Sequence, residues 1–150
     1  MNGISIRAAG PADLEAALPL VAAFHAEEHT EVTAEARRAA VSWLLGDPSL
    51  GVFWLIEAAG RPVGYIAVAL GFSIEFGGRD AFLDEFWLAP ELRGRGHGRA
   101  ALRLAAEDLS ARRVLALHLE VDDGNEAAIG LYAAEGFERR GRYRLMSRRL

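Results

Sequence analysis

The 150-residue sequence predicts a single domain, residues 1–150, of mixed α/β or α+β class. Apolar residues keep helical spacing in the first third of the chain. The middle of the chain contains closely spaced segments that are rich in β-branched and aromatic residues, and strand and helix patterns alternate after them. Such an order predicts a run of antiparallel strands followed by helical crossovers around one core.

Four segments have the spacing or the boundary residues of helices. They are a segment that starts near residue 14, followed by residues 34–45, 100–111 and 125–135. Asp13 and Thr33 stand where a side chain can cap the first two helices, and Gly46-Asp47-Pro48 ends the second. Pro19 lies inside the first segment, where its missing N–H is expected to kink or split the helix.

The strand-like segments share β-branched and aromatic residues bounded by turn residues. They are residues 4–7, 52–57, 63–70, 81–88 and 114–121, with one or two further strands expected in residues 137–149. Residues 58–61 form the turn of a hairpin between the second and third of these strands. The predicted element order is therefore β-α-α-β-β-β-α-β-α-β.

The composition excludes several kinds of site. The chain has no cysteine, so disulfides, thiolate metal sites and a cysteine nucleophile are excluded. Its net charge of −4 argues against a general nucleic-acid binder, although its 17 basic residues, all of them arginine, are clustered. No apolar run reaches the roughly 20 residues of a membrane span. Residues 1–10 lack the pattern of a secretory signal, so we expect a cytoplasmic location and no membrane partner.

A glycine-rich turn directly before the third helix is the most informative segment. Gly94, Gly96 and Gly98 let the backbone approach a ligand and direct several N–H groups the same way. The helix start adds its positive dipole end, and interleaved arginines add charge, so a pyrophosphate site is one interpretation. A flexible loop with solvated arginines is the other. A Walker loop is excluded because the chain has no lysine, and the glycine spacing does not fit a dinucleotide fingerprint.

Several segments, in the same order along the chain, resemble the GNAT acetyltransferase family. Arg93-x-x-Gly96-x-Gly98 matches the signature that binds the CoA pyrophosphate through backbone N–H groups in that family. Residues 82–88 are similar to the fourth strand of the family, and Pro90 to the proline that often follows it. The motif Asn125-x-x-Ala128-x-x-x-Tyr132-x-x-x-Gly136-Phe137 resembles the second CoA-side motif.

The resemblance implies a central, mostly antiparallel sheet of seven strands, splayed between strands 4 and 5 and flanked by about four helices. It implies acetyl-CoA as the acyl donor in that gap, an amine acceptor and no metal. A homodimer is expected because dimers are frequent in the family. The pantetheine arm is expected to pair with the backbone of residues 86–88 as an added strand does. The residues that the resemblance assigns to CoA are Phe86, Trp87, Leu88, Arg93, Gly94, Arg95, Gly96, His97, Gly98, Arg99, Asn125 and Tyr132.

Direct acetyl transfer needs a neutral amine, a stabilised oxyanion and a proton for the leaving thiolate. Backbone N–H groups near Leu88 are expected to bind the thioester carbonyl oxygen. The resemblance makes Tyr132 the general acid, while a core tyrosine on an apolar helix face is the alternative. Asn125 has the alternative role of a helix cap.

Three carboxylates are candidates for the general base. Asp84 and Glu85 are neighbours in the predicted fourth strand, so we expect one side chain on each face of the sheet. Glu120 is predicted in the fifth strand, on the face that it shares with His118. Glu85 and Glu120 rank above Asp84, and each has the alternative role of a solvated or salt-bridged strand residue.

We expect the acceptor site near the first two helices and the loop at residues 73–80. Acidic residues in these segments suggest a cationic amine, although they also fit ordinary solvated faces. They are Glu27, Glu28, Glu31 and Glu75.

Two further patterns have simpler explanations than the sites that they suggest. His25 and His29 match a zinc pattern on one helical turn, but no third ligand is evident. The arginines of residues 139–149 could contact nucleic acid, yet a charged edge strand explains them more simply. The sequence thus predicts an acetyltransferase that acts, through a ternary complex, on a primary amine of a small molecule or a peptide. A non-catalytic acyl-CoA-binding module and a nucleic-acid-associated protein are the alternatives.

Overall fold

The computed structural model describes residues 3–150, which contain five strands and four α-helices. The strands are β1 (Ile4–Ala8), β2 (Gly51–Ala58), β3 (Arg61–Ser73), β4 (Gly78–Leu88) and β5 (Ala116–Leu119). The helices are α1 (Leu14–Glu27), α2 (Ala34–Gly46), α3 (His97–Ala111) and α4 (Glu126–Ala134). No helix within residues 3–150 has both the length and the apolar character needed to cross a membrane.

All five strands lie in one sheet with the order β1-β2-β3-β4-β5. The first four are antiparallel to their neighbours, whereas β5 runs parallel to β4. A parallel neighbour requires a crossover connection, and α3 supplies it. The sheet is therefore mixed, with its parallel pair at one edge.

Helices α1 and α2 cover one face of the sheet. Their buried side chains join those of β2 and β3 in one cluster made of Ala17, Val21, Val41, Leu45, Phe53, Leu55, Tyr65 and Ala67. The Phe53 and Tyr65 rings stack with centroids 4.9 Å apart. Helix α1 buries Ala17, Val21 and His25, which are spaced four residues apart and so share one side of the helix.

Helix α3 covers the opposite face. Its buried residues repeat at helical spacing and are Ala101, Leu102, Ala105 and Leu109. Trp54 is fully buried, and its Nε1–H donates to Asp108 Oδ2 of α3 at 2.8 Å. Because Trp54 lies between Phe53 and Leu55 in β2, its side chain points away from the α1/α2 cluster.

Strands β4 and β5 pair over only four positions. The pairs run from Asp80–Ala116 to Leu83–Leu119. On its other side β4 stays paired with β3 as far as Leu88. From Asp84 to Leu88, the edge of β4 that faces away from β3 therefore has no strand partner among the described residues, and we call this segment the open edge of β4.

A β-bulge in β4 marks the beginning of the open edge. Leu83 lies opposite Val68, whereas Glu85 lies opposite the preceding residue of β3, Ala67. Asp84 is thus the extra residue of the bulge, and it shifts the alternation of side chains by one position. As a result, Glu85 follows Ala67 and faces α1 and α2.

The structure confirms a mixed α/β fold with four helices, in the predicted order from β1 to α4. The sheet has five strands in the described residues, not seven. The prediction of strands in residues 137–149 is wrong. Every residue from 138 to 150 is exposed, so pairing of this arginine-rich segment would bury no apolar face.

Two local predictions near α1 need correction. Helix α1 is continuous through Pro19, so the proline does not split it, and buried residues on both sides, Ala17 and Val21, hold the helix on the sheet. Asp13 does not cap α1 with its side chain, since its carboxylate accepts from Arg7 and from the Gly10 N–H instead. Thr33 does cap α2, accepting from the Ala36 N–H at 3.1 Å.

The chain divides into two compact units, and each is described separately below. The first unit ends at Glu120 and contains the sheet with α1, α2 and α3. The second unit, Val121–Leu150, contains α4 and the C-terminal segment. That residues 1–150 form a single domain stays a prediction.

We predict that Asp13→Asn lowers the free energy of unfolding by about 1 kcal/mol at neutral pH. The Asp13 carboxylate accepts from Arg7 Nη1 and Nη2 at 3.1 and 3.0 Å, and this bonding lowers the pKa of Asp13. Its contribution is therefore present above the ordinary aspartate pKa of about 3.9 and is lost as the pH falls through the lower folded-state value. Urea unfolding measured at a series of pH values checks this. A difference between the two proteins that persists at the acid end would contradict it.

Candidate functional site

The open edge of β4 presents backbone groups of Phe86 and Leu88. The Ala89 N–H donates to the Val63 carbonyl at 2.8 Å, so this directly opposed pair is hydrogen-bonded. Hydrogen-bonded and non-hydrogen-bonded pairs alternate along an antiparallel ladder. Gly64–Leu88 is therefore a non-hydrogen-bonded pair, and Tyr65–Trp87 is the next hydrogen-bonded pair. The N–H and C=O groups of Phe86 and Leu88 therefore point to the other side, along the open edge. The Trp87 backbone, expected to contact CoA, is directed to β3 instead.

The glycine-rich turn between β4 and α3 has the backbone of an anion site. Gly94 and Gly96 have φ values of +71° and +80°, in the left-handed region that favours glycine. Helix α3 begins at His97, and the N–H groups of a first helical turn have no intrahelical acceptor. These N–H groups and the helix dipole favour a bound anion. Gly98 is ordinary in φ, and a Cβ there would lie 3.6 Å from Phe86 Cζ, an ordinary contact.

Arg93 holds the start of this turn and is not a freely solvated cation. Its Nε donates to the Leu88 carbonyl oxygen at 2.7 Å, and its Nη2 donates to both Glu27 oxygens at 2.9 and 3.0 Å. The guanidinium carbon also lies 5.8 Å from the centroid of the Trp87 ring. Arg93 thus connects the end of β4 to the last turn of α1. Glu27, expected among the acidic residues of the acceptor site, is already paired.

Four side chains from four elements are connected by hydrogen bonds, and we call them the Glu85 network: His25, Arg37, Tyr65 and Glu85. His25 Nε2 lies 2.6 Å from Glu85 Oε2, and the Tyr65 hydroxyl donates to Glu85 Oε1 at 3.1 Å. Arg37 Nε donates to His25 Nδ1 at 3.2 Å. His25 is buried and Glu85 is mostly buried, so these contacts exchange little with water.

Burial is the main cause that raises the pKa of Tyr65 well above its ordinary value, and the nearby charge of Glu85 adds to it. The Tyr65 phenol therefore stays protonated and remains a hydrogen-bond donor to Glu85. Hydrogen bonds to both oxygens of Glu85 fix the orientation of its carboxyl group.

The other two candidate carboxylates have different surroundings. Asp84 is exposed and is the extra residue of the bulge. Asp84 and Glu85 therefore do not follow the regular strand alternation that the sequence predicts. Glu120 is exposed and lies just past β5, not within it, because pairing with β4 stops at Leu119. His118 on β5 has Nε2 at 3.2 Å from Asp80 Oδ2, with the Phe76 ring against it.

In the C-terminal unit, helix α4 has defined caps at both ends. The Asn125 side chain accepts from the Ala128 N–H at 3.1 Å, as the cap interpretation predicts. At the other end Gly136 has a φ of +88°, and the Phe137 N–H donates to the Tyr132 carbonyl at 3.0 Å. With the Tyr132–Phe137 ring contact, this is a Schellman motif. Burial raises the pKa of the Tyr132 phenol above its ordinary value.

The zinc interpretation of His25 and His29 does not fit the geometry of the first unit. Both ring nitrogens of His25 are engaged, one with Arg37 and the other with Glu85. The backbone of His29 has a φ of +53°, past the end of α1, so the two histidines do not share a helical turn. The sequence interpretation missed His25, Arg37 and Tyr65 as partners of Glu85. The two adjacent charges between apolar residues at Leu83–Phe86 were the available signal for the bulge.

A family model of known proteins matches this chain over residues 17–137, and its description is the acetyltransferase (GNAT) family. The chain belongs to the GNAT acetyltransferase family. The matched region includes the β4 bulge, the glycine-rich turn and α4. The expected family membership is therefore confirmed.

Relatives of this GNAT chain include acetyltransferases. Thialysine N-epsilon-acetyltransferase of Bos taurus is 34% identical over 86 residues, which are 55% of this chain and 51% of the bovine protein. The chain spans about half the length of the curated relatives that it matches.

Solved structures share the fold of this GNAT chain. An integron cassette protein from the mobile metagenome of Cole Harbour Salt Marsh is 36% identical, with a TM-score of 0.84, covering 95% of this chain and 89% of that one. A predicted acetyltransferase of Clostridium acetobutylicum, solved with acetyl-CoA, is 16% identical, with a TM-score of 0.77 and 96% of each chain covered.

We predict that Arg93→Met speeds amide hydrogen exchange in residues 88–96 of this GNAT protein and lowers the free energy of unfolding by about 1 kcal/mol. The variant loses the paired contacts to Glu27 and the bond to the Leu88 carbonyl. Arg95→Met is the matched control, because Arg95 is exposed in the same turn. Equal exchange in the two variants would show that Arg93 does not hold the turn.

Proposed function

We propose that this GNAT protein is an N-acetyltransferase that transfers the acetyl group of acetyl-CoA directly to a primary amine. The observation that carries the proposal is the open edge of β4, which leads directly into a turn with two left-handed glycines and the start of α3. An open strand edge can pair with the amide groups of a pantetheine arm, and the turn can bind a diphosphate. These two features are consecutive in the chain and suit consecutive parts of one CoA molecule.

We assign the pantetheine arm to the backbone N–H and C=O groups of Phe86, which face the open edge. At Leu88 the carbonyl already accepts from Arg93, so its N–H is the group that remains for the thioester oxygen. The diphosphate is assigned to the N–H groups of the glycine-rich turn. Arg93 then acts by holding the turn, because its guanidinium is committed to Leu88 and Glu27. Arg95 and Arg99 supply exposed positive charge next to the turn.

In the proposed reaction Glu85 accepts, directly or through water, the proton that the acceptor ammonium must lose. The neutral amine then attacks the thioester carbonyl, and the Leu88 N–H binds the oxygen that becomes negative. As the C–S bond breaks, Tyr132 donates its phenolic proton to the departing CoA sulfur. Glu85 releases the first proton to solvent. The nitrogen, now bonded to the acetyl carbon, loses its second proton, which restores the Tyr132 phenol through water, so the products are the amide and the CoA thiol.

Glu85 is preferred over Asp84 and Glu120 as the base because only Glu85 has buried partners that orient it. His25 and Tyr65 each contact one of its oxygens. Asp84 and Glu120 are exposed, and no buried donor holds either carboxylate in a contact that the structure describes.

We propose a small cationic molecule as the amine acceptor. The face of β4 that carries Glu85 also carries Asp80, and Asp84 lies at the bulge between them, so negative charge is concentrated along one strand. The bovine relative is by name an acetyltransferase of thialysine, a small molecule with a side-chain amine. A cytoplasmic homodimer is proposed as the working form.

We predict that Gly96→Ala weakens acetyl-CoA binding at least tenfold. An alanine at a φ of +80° is strained by roughly 1 kcal/mol or more, and relaxing that strain redirects the N–H groups of the turn. Gly60→Ala is the matched control, since Gly60 has a φ of +72° in the β2–β3 turn and an equally open surrounding. Calorimetric titration with acetyl-CoA compares the three proteins. Equal affinity in both variants would refute the assignment of the turn.

The central test is acetyl transfer to a panel of polyamines, aminoglycosides, amino acids and peptides, measured as release of free CoA thiol.

We predict that Tyr132→Phe lowers kcat by about tenfold to 1,000-fold without weakening acetyl-CoA binding. Because burial raises the pKa of Tyr132, the wild-type kcat should not fall between about pH 8 and pH 10 for lack of the acid. Full activity of the variant would exclude Tyr132 as the acid. Acetyl-CoA binding without transfer to any amine would favour a sensing module.

A further inference from the structure

The protonation state of His25 follows from its two partners. Arg37 has only N–H donors, so the His25 Nδ1 that receives its Nε–H must carry a lone pair and no proton. The proton of the neutral ring is then on Nε2, which donates to Glu85 Oε2 at 2.6 Å. His25 is therefore a neutral donor toward Glu85, and its other nitrogen is blocked.

Arg37 is itself held in place by a second contact. Its Nη2 donates to the Val32 carbonyl at 3.1 Å, in the segment between α1 and α2. The guanidinium thus joins this segment, α2 and the His25 ring of α1. Its Nε–H occupies the lone pair of Nδ1.

From this geometry we propose that Arg37 and His25 are positioning residues for Glu85, and that Arg37 acts by keeping His25 neutral. The inference rests on the proposed function, in which Glu85 is the base. A neutral His25 orients the Glu85 carboxylate with one hydrogen bond and leaves its negative charge available to an acceptor ammonium. An imidazolium at the same place would neutralise that charge through an ion pair. Arg37 touches neither Glu85 nor the open edge in any contact that the structure describes, and its hydrogen bond within the network is to His25.

A direct readout is the protonation of the His25 ring nitrogens, from long-range 1H–15N spectra of 15N-labelled protein at neutral pH. The signal is assigned with His25→Gln. We expect Nε2 protonated and Nδ1 unprotonated in the wild type, and a proton on Nδ1 in part of the Arg37→Met molecules. A protonated Nδ1 in the wild type would overturn the inference, as would an unchanged His25 signal in Arg37→Met. This readout needs no acceptor, so it stands or fails separately from the proposed function.

Kinetics with an acceptor found in the amine panel give the second readout. We expect Arg37→Met and His25→Ala to lower kcat by about tenfold to 100-fold, with the KM for acetyl-CoA unchanged within about twofold. His25→Gln should restore part of the loss, because its amide N–H can reach Glu85. Arg38→Met is the matched control and should retain wild-type kcat, since Arg38 pairs with the exposed Glu15 on the same two helices. A loss in Arg37→Met no greater than in Arg38→Met, or no rescue by glutamine, would overturn the positioning role.

Discussion

Beyond Leu83 the two parallel strands β4 and β5 stop pairing, and the arrangement of the site depends on this loss of pairing. Over five residues β4 is hydrogen-bonded on one side only, to β3. The N–H and C=O groups that no strand uses belong to Phe86 and Leu88, just before the glycine-rich turn, and of these the Leu88 carbonyl accepts from Arg93. A continuous ladder to β5 would consume these groups, so the same backbone could not bind a ligand.

The bulge at Asp84 has a second consequence, on the face of the sheet. Without the extra residue, Leu83 and Glu85 would point the same way, and Glu85 would face α3. With it, Glu85 joins Tyr65 and Ala67 under α1 and α2. A single inserted residue therefore determines which helices surround the carboxylate. Bulges that re-aim a side chain in this way are frequent next to active sites.

Local features were predictable from the sequence because neighbouring residues produce them. The caps Thr33 and Asn125 and the order of elements through α4 are examples. The glycine-rich turn was also recognisable, because a left-handed φ at Gly94 and Gly96 has few alternatives to glycine.

Long-range features were not predictable in this way. Glu85 and His25 are 60 positions apart, and the spacing of His25 and His29 suggested a different chemistry. The described structure has no strand in residues 137–149. Alternation of apolar and polar residues is a weak signal for a strand when neither side of the segment is buried, as in residues 138–150. The effect of Pro19 on the helix was overestimated, because burial of Ala17 and Val21 against the sheet compensates for the one backbone hydrogen bond that proline cannot make.

The unpaired margin of β4 also bears on how the protein behaves when its ligand is scarce. Exposed strand margins are templates on which other chains can add, and they promote aggregation. Arg93 masks the Leu88 carbonyl and so removes part of that template. A bound acetyl-CoA would cover the remainder and, at 100 times its Kd, would add about 2.7 kcal/mol to stability. The concentration of acetyl-CoA would then affect the stability of the folded chain as well as the rate of acetyl transfer.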